Sequence, residues 1–289
     1  MNALKHVLAL RTRAEDAAAD IEELISSAER AVNSVLSGEH AQRKSGGHEK
    51  FWQYREYMQG DRPQDIDWRQ SAKTQRVYAR QKEWQNTQDN ILWCSVYDGM
   101  NFKSGNLPPK AEVAKTLTLA LGLLFVRSGE RAALLNHSNA GRSEKSLNAM
   151  AQELCLGAQK TSLPTTNKDI SKNSSLVLIG DFLDDDQDLK RSFDGLSRGN
   201  KNGLVIQVLD PAELALPYDG RVVFEDMNGK VRENIQHVGS VRDAYQERIK
   251  SHISRVEGLC EEIGWHYVLH STDHSISEAL RTLWAEISQ

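Results

Sequence analysis

The segment Leu176-Val177-Leu178-Ile179-Gly180-Asp181 decides the fold class of this chain. Four aliphatic residues in a row, followed by glycine and aspartate, predict a short strand that is buried on both of its faces. Strands of that kind occur in parallel sheets, where helices cover both sides. Similar short apolar runs occur at residues 91–96, 131–136, 203–209 and 265–269.

Helical segments alternate with these runs. Pro108-Pro109 introduces a helix over residues 110–127. Strand–helix alternation predicts an α/β, Rossmann-like fold with a parallel sheet between helices. One β-hairpin, over residues 221–232 and closed by Asn228-Gly229, is expected as an insertion. The apolar face of the first helix consists of Ala111, Ala114, Leu117, Leu121 and Leu124, and further helices are expected at residues 144–156, 186–196, 240–263 and 275–287.

The N-terminal part of the chain has a different character. Residues 3–36 show the apolar periodicity of a helix. Aromatic and basic residues then alternate, and they predict extended structure near residues 51–57 and 76–84. We therefore expect residues 1–87 to be an N-terminal helix and β-rich segment packed on a main domain formed by residues 88–289.

Composition and charge exclude several classes of protein. The 289 residues are 39% hydrophobic and 26% charged, and 36 Lys+Arg against 40 Asp+Glu give a net charge of −4, which disfavours nucleic-acid binding. Cys94, Cys155 and Cys260 lie far apart, and no CxxC pair exists. The longest apolar run, residues 117–126, is about half of a membrane span, and residues 1–20 turn charged too early for a signal peptide. A soluble, cytoplasmic protein without membrane insertion is expected.

A binding site is expected where the predicted strands end. In open α/β sheets, ligands bind beyond the carboxyl ends of the strands. Residues 95–101 follow the first strand of the main domain, and residues 180–182 end the Leu176 strand. An acidic residue directly after an apolar strand, such as Asp181, is in a typical position for a Mg²⁺ ligand.

The stretch from Ser45 to Trp84 carries an unusual motif. It begins with glycines, continues with aromatic and basic residues, and then contains Gly60-Asp61 and Ile66-Asp67-Trp68-Arg69. This motif resembles the signature of a bacterial family known as domain of unknown function 58. The resemblance implies a von Willebrand factor type A-like domain. It also implies a role beside MoxR-type AAA+ ATPases in complex assembly or chaperone-like work.

The same resemblance implies a metal-ion-dependent adhesion site, which begins with Asp-x-Ser-x-Ser after the first strand. A gapless alignment puts Ser95, Tyr97 and Gly99 at the three ligand positions. None of them is a carboxylate, and glycine has no side-chain oxygen. Asp181 matches a later acidic position of the site, and Asp98 is a carboxylate close by in sequence. We predict a degenerate adhesion site that binds no metal tightly, and no cofactor.

These observations together predict a non-enzymatic protein–protein interaction module. Its expected partner is a MoxR-type AAA+ ATPase or a client protein of that ATPase. The alternatives are a metal-assisted hydrolase at the strand carboxyl ends and a nucleic-acid binder that uses the basic aromatic segment. The residues assigned to the degenerate site are Ser95, Tyr97, Asp98, Gly99, Asn101 and Asp181; those of the family signature are Gly60, Asp61, Asp67, Trp68 and Arg69; and the basic face is Arg55, Arg62, Arg69, Arg76 and Arg80.

Two further patterns resemble sites and are better explained by structure. Asp61, Asp65 and Asp67 resemble a carboxylate cluster, but aspartates in a Gly-Asp-Arg-Pro turn usually cap backbone amides. His266, His270 and His274 are spaced four residues apart, as metal ligands on a helix would be. On the strand predicted there, they would lie about 13 Å apart, too far for one ion.

Overall fold

The computed structural model divides the described residues into two units. The larger unit is Gln88–Gln289 together with Met1–Gly38, and the smaller is Glu39–Thr87. Helix α1, residues 25–36, belongs to the larger unit, whereas the predicted boundary grouped it with the aromatic segment. Its buried residues, among them Ala28 and Val32, belong to the same hydrophobic core as one face of the sheet. The residues described are 22–23, 25–36, 51–57, 66, 68–71, 77–82, 89–136, 140–156, 161–165, 170, 174–198, 202–227 and 232–287.

The smaller unit contains a two-stranded antiparallel sheet. Strand β1 (Phe51–Glu56) pairs with β2 (Tyr78–Lys82), and the short helix α2 (Trp68–Ser71) lies between them in sequence. The backbone N–H of Tyr78 donates to Oγ of Ser71 at 2.9 Å. The extended structure predicted near residues 51–57 and 76–84 is confirmed. That this segment packs on the main domain stays a prediction.

The larger unit alternates strands and helices, as its sequence pattern predicts. Its apolar runs form the strands, and the amphipathic segments between them form most of the helices. The elements in chain order are β3 (Asp89–Cys94), α3 (Lys110–Arg127), β4 (Arg131–Leu134), α4 (Glu144–Leu156), β5 (Ser174–Gly180), α5 (Asp186–Ser197), β6 (Gly203–Leu209), α6 (Pro211–Ala215), β7 (Val222–Glu225), β8 (Arg232–Ile235), α7 (Arg242–Glu262), β9 (His266–Ser271) and α8 (Ile276–Ile287).

Five of these strands form one parallel sheet in the order β4-β3-β5-β6-β9. The decisive segment, residues 176–181, lies in the middle of it and is buried throughout. Val177 faces a core that includes residues of α1, α3, α4 and α8, whereas Leu178 faces a second core with residues of α5 and α7. The predicted α/β architecture, with helices on both faces of a parallel sheet, is confirmed.

The predicted hairpin insertion is also present. Strands β7 and β8 pair antiparallel between α6 and α7, with Val222 opposite Ile235. The predicted Asn228-Gly229 turn lies outside the described residues. None of the helices in the described ranges is both long enough and apolar enough to cross a membrane.

Helix α3 runs through the centre of one core. It begins after Pro109, as predicted, and Gly129 with φ of 88° follows its end. All five residues of its predicted apolar face are buried. The first residue of the helix, Lys110, is buried as well, although a lysine is almost never fully buried without a partner.

Two glycines of the larger unit should respond in opposite directions to substitution by alanine. A methyl group at Gly203 would overlap the ring of the buried Trp265, and nothing lies within 4 Å of a methyl group at Gly195 in α5. We expect Gly203→Ala to lower the free energy of unfolding by about 1–3 kcal/mol through overpacking. Gly195→Ala should raise it by roughly 0.4–1 kcal/mol because alanine restricts the unfolded chain. Urea denaturation measures both, and equal effects would contradict this packing.

Candidate functional site

The candidate site lies where β3, β5 and β6 end. In chain order β3 is followed by β4 on one side of it and then by β5 on the other, so the strand order reverses at β3. Ligands of open α/β sheets bind at such a reversal, beyond the carboxyl ends of the strands. Ser95, Asp181 and Asp210 each follow directly after one of the three strands, and all three are fully buried.

A buried salt bridge dominates the site. Nζ of Lys110 lies 2.8 Å from Oδ2 of Asp181 and 2.6 Å from Oε1 of Glu213. The side chains of Lys110 and Asp181 are 1% and 0% exposed, and that of Glu213 is 15% exposed. The ammonium also lies 6.0 Å from the centre of the Phe102 ring, and the Lys110 backbone N–H donates to the Phe102 carbonyl.

Tyr97 closes the site from the side of β3. Its hydroxyl donates a hydrogen bond to Oδ2 of Asp181 at 2.8 Å. Burial, and then the charge of Asp181, raise the pKa of Tyr97, so its hydroxyl keeps the proton that it donates. We call Tyr97, Lys110, Asp181 and Glu213 the lysine cluster.

Gly99 makes room for the Tyr97 side chain. A methyl group on Gly99 would lie 2.5 Å from Cε2 of Tyr97 and 2.6 Å from its hydroxyl oxygen. Any other residue at position 99 would therefore push the tyrosine ring away from Asp181. Tyr97 and Gly99, which stand at two of the three ligand positions of the implied adhesion site, are sterically complementary.

The end of β6 holds Glu213 in place through a capping box. Oδ1 of Asp210 accepts from the Ala212 N–H at 2.8 Å, and Oε2 of Glu213 accepts from the Asp210 N–H at 2.9 Å. The other oxygen of Asp210 accepts from the Ser104 N–H at 2.9 Å. Burial raises the pKa of Glu213, and the Lys110 ammonium opposes that rise. The cap leaves one Glu213 oxygen for the lysine.

Gln207 supports Asp181 from within the sheet. Its Nε2 donates to the Asp181 carbonyl at 2.7 Å, and its Oε1 accepts from the Tyr267 hydroxyl at 2.6 Å. Gln207 is fully buried in the middle of β6. A polar side chain at that depth fixes the backbone on which the Asp181 carboxylate is carried.

The structure separates the predicted site residues into three groups. Ser95 and Asp181 are buried, and Oγ of Ser95 donates to the Thr161 carbonyl at 3.4 Å. Asp98 and Asn101 are exposed on a 3₁₀ turn that Met100 anchors in the core. Several residues singled out in the smaller unit lie outside the described residues: the family-signature residues Gly60, Asp61 and Asp67, and also Arg62, Asp65 and Arg76. The side chains of three further arginines are not described either: Arg55, Arg69 and Arg80. Trp68 and Arg69 are the first two residues of α2.

The residues present do not fit a divalent metal ion at the implied adhesion site. Ser95, Tyr97 and Gly99 offer no carboxylate, and the ammonium of Lys110 neutralises Asp181. One observation favours a further ligand, because Oδ1 of Asp181 is buried and has no hydrogen-bond partner among the described residues. A cation there would share the carboxylate with Lys110 and be repelled by it. Within the described ranges, no group of three His, Cys, Asp or Glu side chains is positioned to hold a metal.

One family model matches most of the chain. The family model "Protein of unknown function DUF58" matches residues 53–255. The chain belongs to the DUF58 family. The matched range covers most of the smaller unit, much of the larger unit and every member of the lysine cluster, whereas α1, β9 and α8 lie outside it. No curated protein matches the sequence.

Sequence reasoning found Asp181 and Tyr97 and missed Lys110, Glu213 and Gln207. A signal for Lys110 was present, because it precedes Ala114, Leu117 and Leu121 by four, seven and eleven residues, which places it on the apolar face of α3. The capping box at Asp210 and Glu213 also has a readable D-x-x-E spacing. Nothing in the sequence pairs either residue with Asp181.

Removal of the Tyr97 hydroxyl should weaken the fold. Tyr97→Phe takes a hydrogen bond from a buried carboxylate, and we expect the free energy of unfolding to fall by about 1–3 kcal/mol. Tyr218→Phe is the matched control, since that half-buried ring packs edge-on against Phe224 outside the lysine cluster. The control should stay within about 0.5 kcal/mol of the wild type. A Tyr97→Phe variant as stable as the control would contradict the assigned contact.

A buried histidine in β9 should make the fold sensitive to acid. Burial, and then His274, lower the pKa of His270 from 6.5 to about 4, although Asp273 opposes them. Between those pH values only the unfolded chain binds a proton at His270. The contribution of His270 to the free energy of unfolding is therefore fully present above pH 6.5 and is lost as the pH falls towards 4. The free energy of unfolding falls by roughly 3 kcal/mol over this range. His270→Gln should flatten urea midpoints over that range, whereas His266→Gln, at an exposed position of the same strand, should not.

Proposed function

We propose that the chain is a non-enzymatic protein–protein interaction module whose binding surface is the carboxyl edge of the parallel sheet. One observation carries the proposal: the Lys110 ammonium and the Asp181 carboxylate at the centre of the lysine cluster are almost fully buried. A group that a substrate cannot reach cannot act on it as an acid, a base or a nucleophile. The side chains around the cluster remain available to another protein.

The loop after β5 supplies part of the proposed surface. Phe182 adopts φ of 48°, a left-handed conformation that is costly for a bulky residue and that turns the following loop outwards. Its buried ring packs edge-on against Phe193 at 5.7 Å, and a ring nitrogen of His252 lies 2.7 Å from its carbonyl oxygen. The next residue, Leu183, is 39% exposed. The strained, anchored turn therefore presents an apolar side chain at the carboxyl edge.

A cleft lies beside this loop. It has a volume of about 410 Å³, and its walls are residues 183–186, Glu213 and one face of α7. Burial raises the pKa of Asp184 there, and the neighbouring aspartates add to the rise. Asp186 forms a salt bridge with Arg255 across the cleft. The charged side chains of this cleft suit the polar rim of a protein interface, beside the exposed Leu183.

The partner that the family resemblance favours is a MoxR-type AAA+ ATPase, or a client protein of that ATPase. A type A-like domain is supported by the five-stranded parallel sheet with helices on both faces. A cytoplasmic setting is supported by the cysteine content of the sequence, since the three cysteines are odd in number, far apart and include no CxxC pair. Burial raises the pKa of Cys94 and of Cys260 to about 12, which makes both thiols unreactive.

The contacts of the lysine cluster and the charge of the chain disfavour the two alternative functions, a metal-assisted hydrolase and a nucleic-acid binder. A metal-assisted hydrolase needs open carboxylates at the strand ends, and there Lys110 already binds Asp181 and Glu213. A nucleic-acid binder would depend on the basic residues of the smaller unit, against a net charge of −4 for the chain.

A charge reversal at the carboxyl edge should weaken partner binding. We expect the chain to bind the MoxR-type ATPase of the same genome with a micromolar dissociation constant in biolayer interferometry. Asp98→Lys should weaken that binding by about tenfold, because it reverses the charge that this exposed position presents to the partner. Asp98 suits the test because it is exposed, next to the lysine cluster and outside it.

Glu261→Lys is the matched control for this experiment. Glu261 is also exposed and acidic, and it lies at the end of α7, directly before β9, which places it at the amino edge of the sheet. Its variant should bind within about twofold of the wild type. Equal losses for both variants would contradict the assigned surface. No binding of the ATPase or its clients at micromolar concentration would contradict the proposed function.

A further inference from the structure

We propose that the Lys110 ammonium is the resident cation of this site, where it takes the place of the divalent metal of an adhesion site. The proposal goes beyond the interaction function and rests on the contacts of the lysine cluster alone. Two carboxylates from the ends of different strands, Asp181 after β5 and Glu213 after β6, converge on one positive charge. That charge is supplied by the chain itself.

The dimensions of the site suit an ammonium rather than a small metal ion. The two nitrogen–oxygen distances are 2.8 and 2.6 Å. Magnesium requires oxygen ligands at about 2.0–2.1 Å in an octahedron, so a metal ion could use these two carboxylates only if the lysine were absent and they moved closer together, with water as the remaining ligands. Lysine presents a compact charge with three donors, and here two of its contacts are to carboxylates.

The segment after β3 is shaped to close the site around this cation. At the positions where an adhesion site has hydroxyl ligands, the chain has Tyr97, which donates to Asp181, and Gly99, which leaves space for the tyrosine ring. Lys110, the first residue of α3, contacts the same Asp181 oxygen as Tyr97. Three positions therefore contribute to one arrangement. Tyr97 supplies a neutral hydrogen-bond donor, Gly99 leaves the space for its ring, and Lys110 supplies the cation.

The arrangement has a consequence for partner recognition that rests on the proposed function. Because the Lys110 side chain is 1% exposed, a partner's carboxylate cannot reach it as it would reach an exposed metal ion. Recognition at this edge is therefore independent of divalent cations. Binding of the nucleotide-free ATPase, which needs no magnesium to hold a nucleotide, should have the same affinity in EDTA as in magnesium.

The direct test is Mn²⁺ binding to the full chain, followed by electron paramagnetic resonance and by thermal unfolding. The wild type should bind no Mn²⁺ at the site up to millimolar concentration. Lys110→Met should bind it at least about tenfold more tightly, because two unpaired buried carboxylates then attract a cation. Its unfolding temperature should rise with added Mn²⁺. Lys115→Met, one turn further along the same helix and outside the cluster, should behave as the wild type.

Three outcomes would overturn the proposal. The first is wild-type Mn²⁺ binding that Asp181→Asn abolishes. The second is a folded Lys110→Met variant that binds Mn²⁺ no better than Lys115→Met. The third applies if Lys110→Met is unfolded without metal: millimolar Mn²⁺ should then restore its circular dichroism, and failure to do so contradicts a cation site. Capture of the ATPase is measured separately, so loss of the proposed function would leave the metal result standing.

Discussion

The salt bridge between Lys110 and Asp181 is the contact on which the carboxyl edge of the sheet depends. It joins the end of β5 to the start of α3, 71 residues apart in sequence, and Lys110 extends the link to α6 through Glu213. Burying two charges costs as much as their attraction returns, so the pair adds little net stability. Breaking it, however, leaves an unpaired buried charge at a cost of about 3–5 kcal/mol. The pair therefore acts as a positional constraint on three segments.

The fold around this pair was predictable because a strand that is buried on both faces has a continuous run of apolar residues in its sequence. Residues 176–179 are apolar without alternation, since both faces of β5 are covered, and β6 shows the same pattern except at Gln207. The place of α1 within the core was less predictable. Its small, apolar residues indicate close packing on the main domain, as we expected, and only the tertiary contacts show that it joins the core that contains α3.

The site was predictable only where chain topology decides it. Asp181 was found because it ends a buried strand, and the carboxyl ends of strands form the binding edge. Lys110 was missed because a lysine after two prolines is ordinarily a solvated first-turn residue. Its burial depends on two acceptors 71 and 103 residues away, which no local pattern encodes. The helical spacing to Ala114 and Leu117 signals a buried position without naming the partner.

A closed site changes what the carboxyl edge can recognise. An open metal offers one strong, general contact to any carboxylate, whereas a buried ammonium offers none, because its charge is already satisfied. Specificity must then come from the shape and chemistry of the surrounding side chains. The positive φ of Phe182 fits this requirement, since a strained turn persists only where packing enforces it, and here Phe193 and His252 hold it. In the proposed interaction module, the lysine cluster is the rigid base, and the loop after β5 is the expected place of the partner contacts.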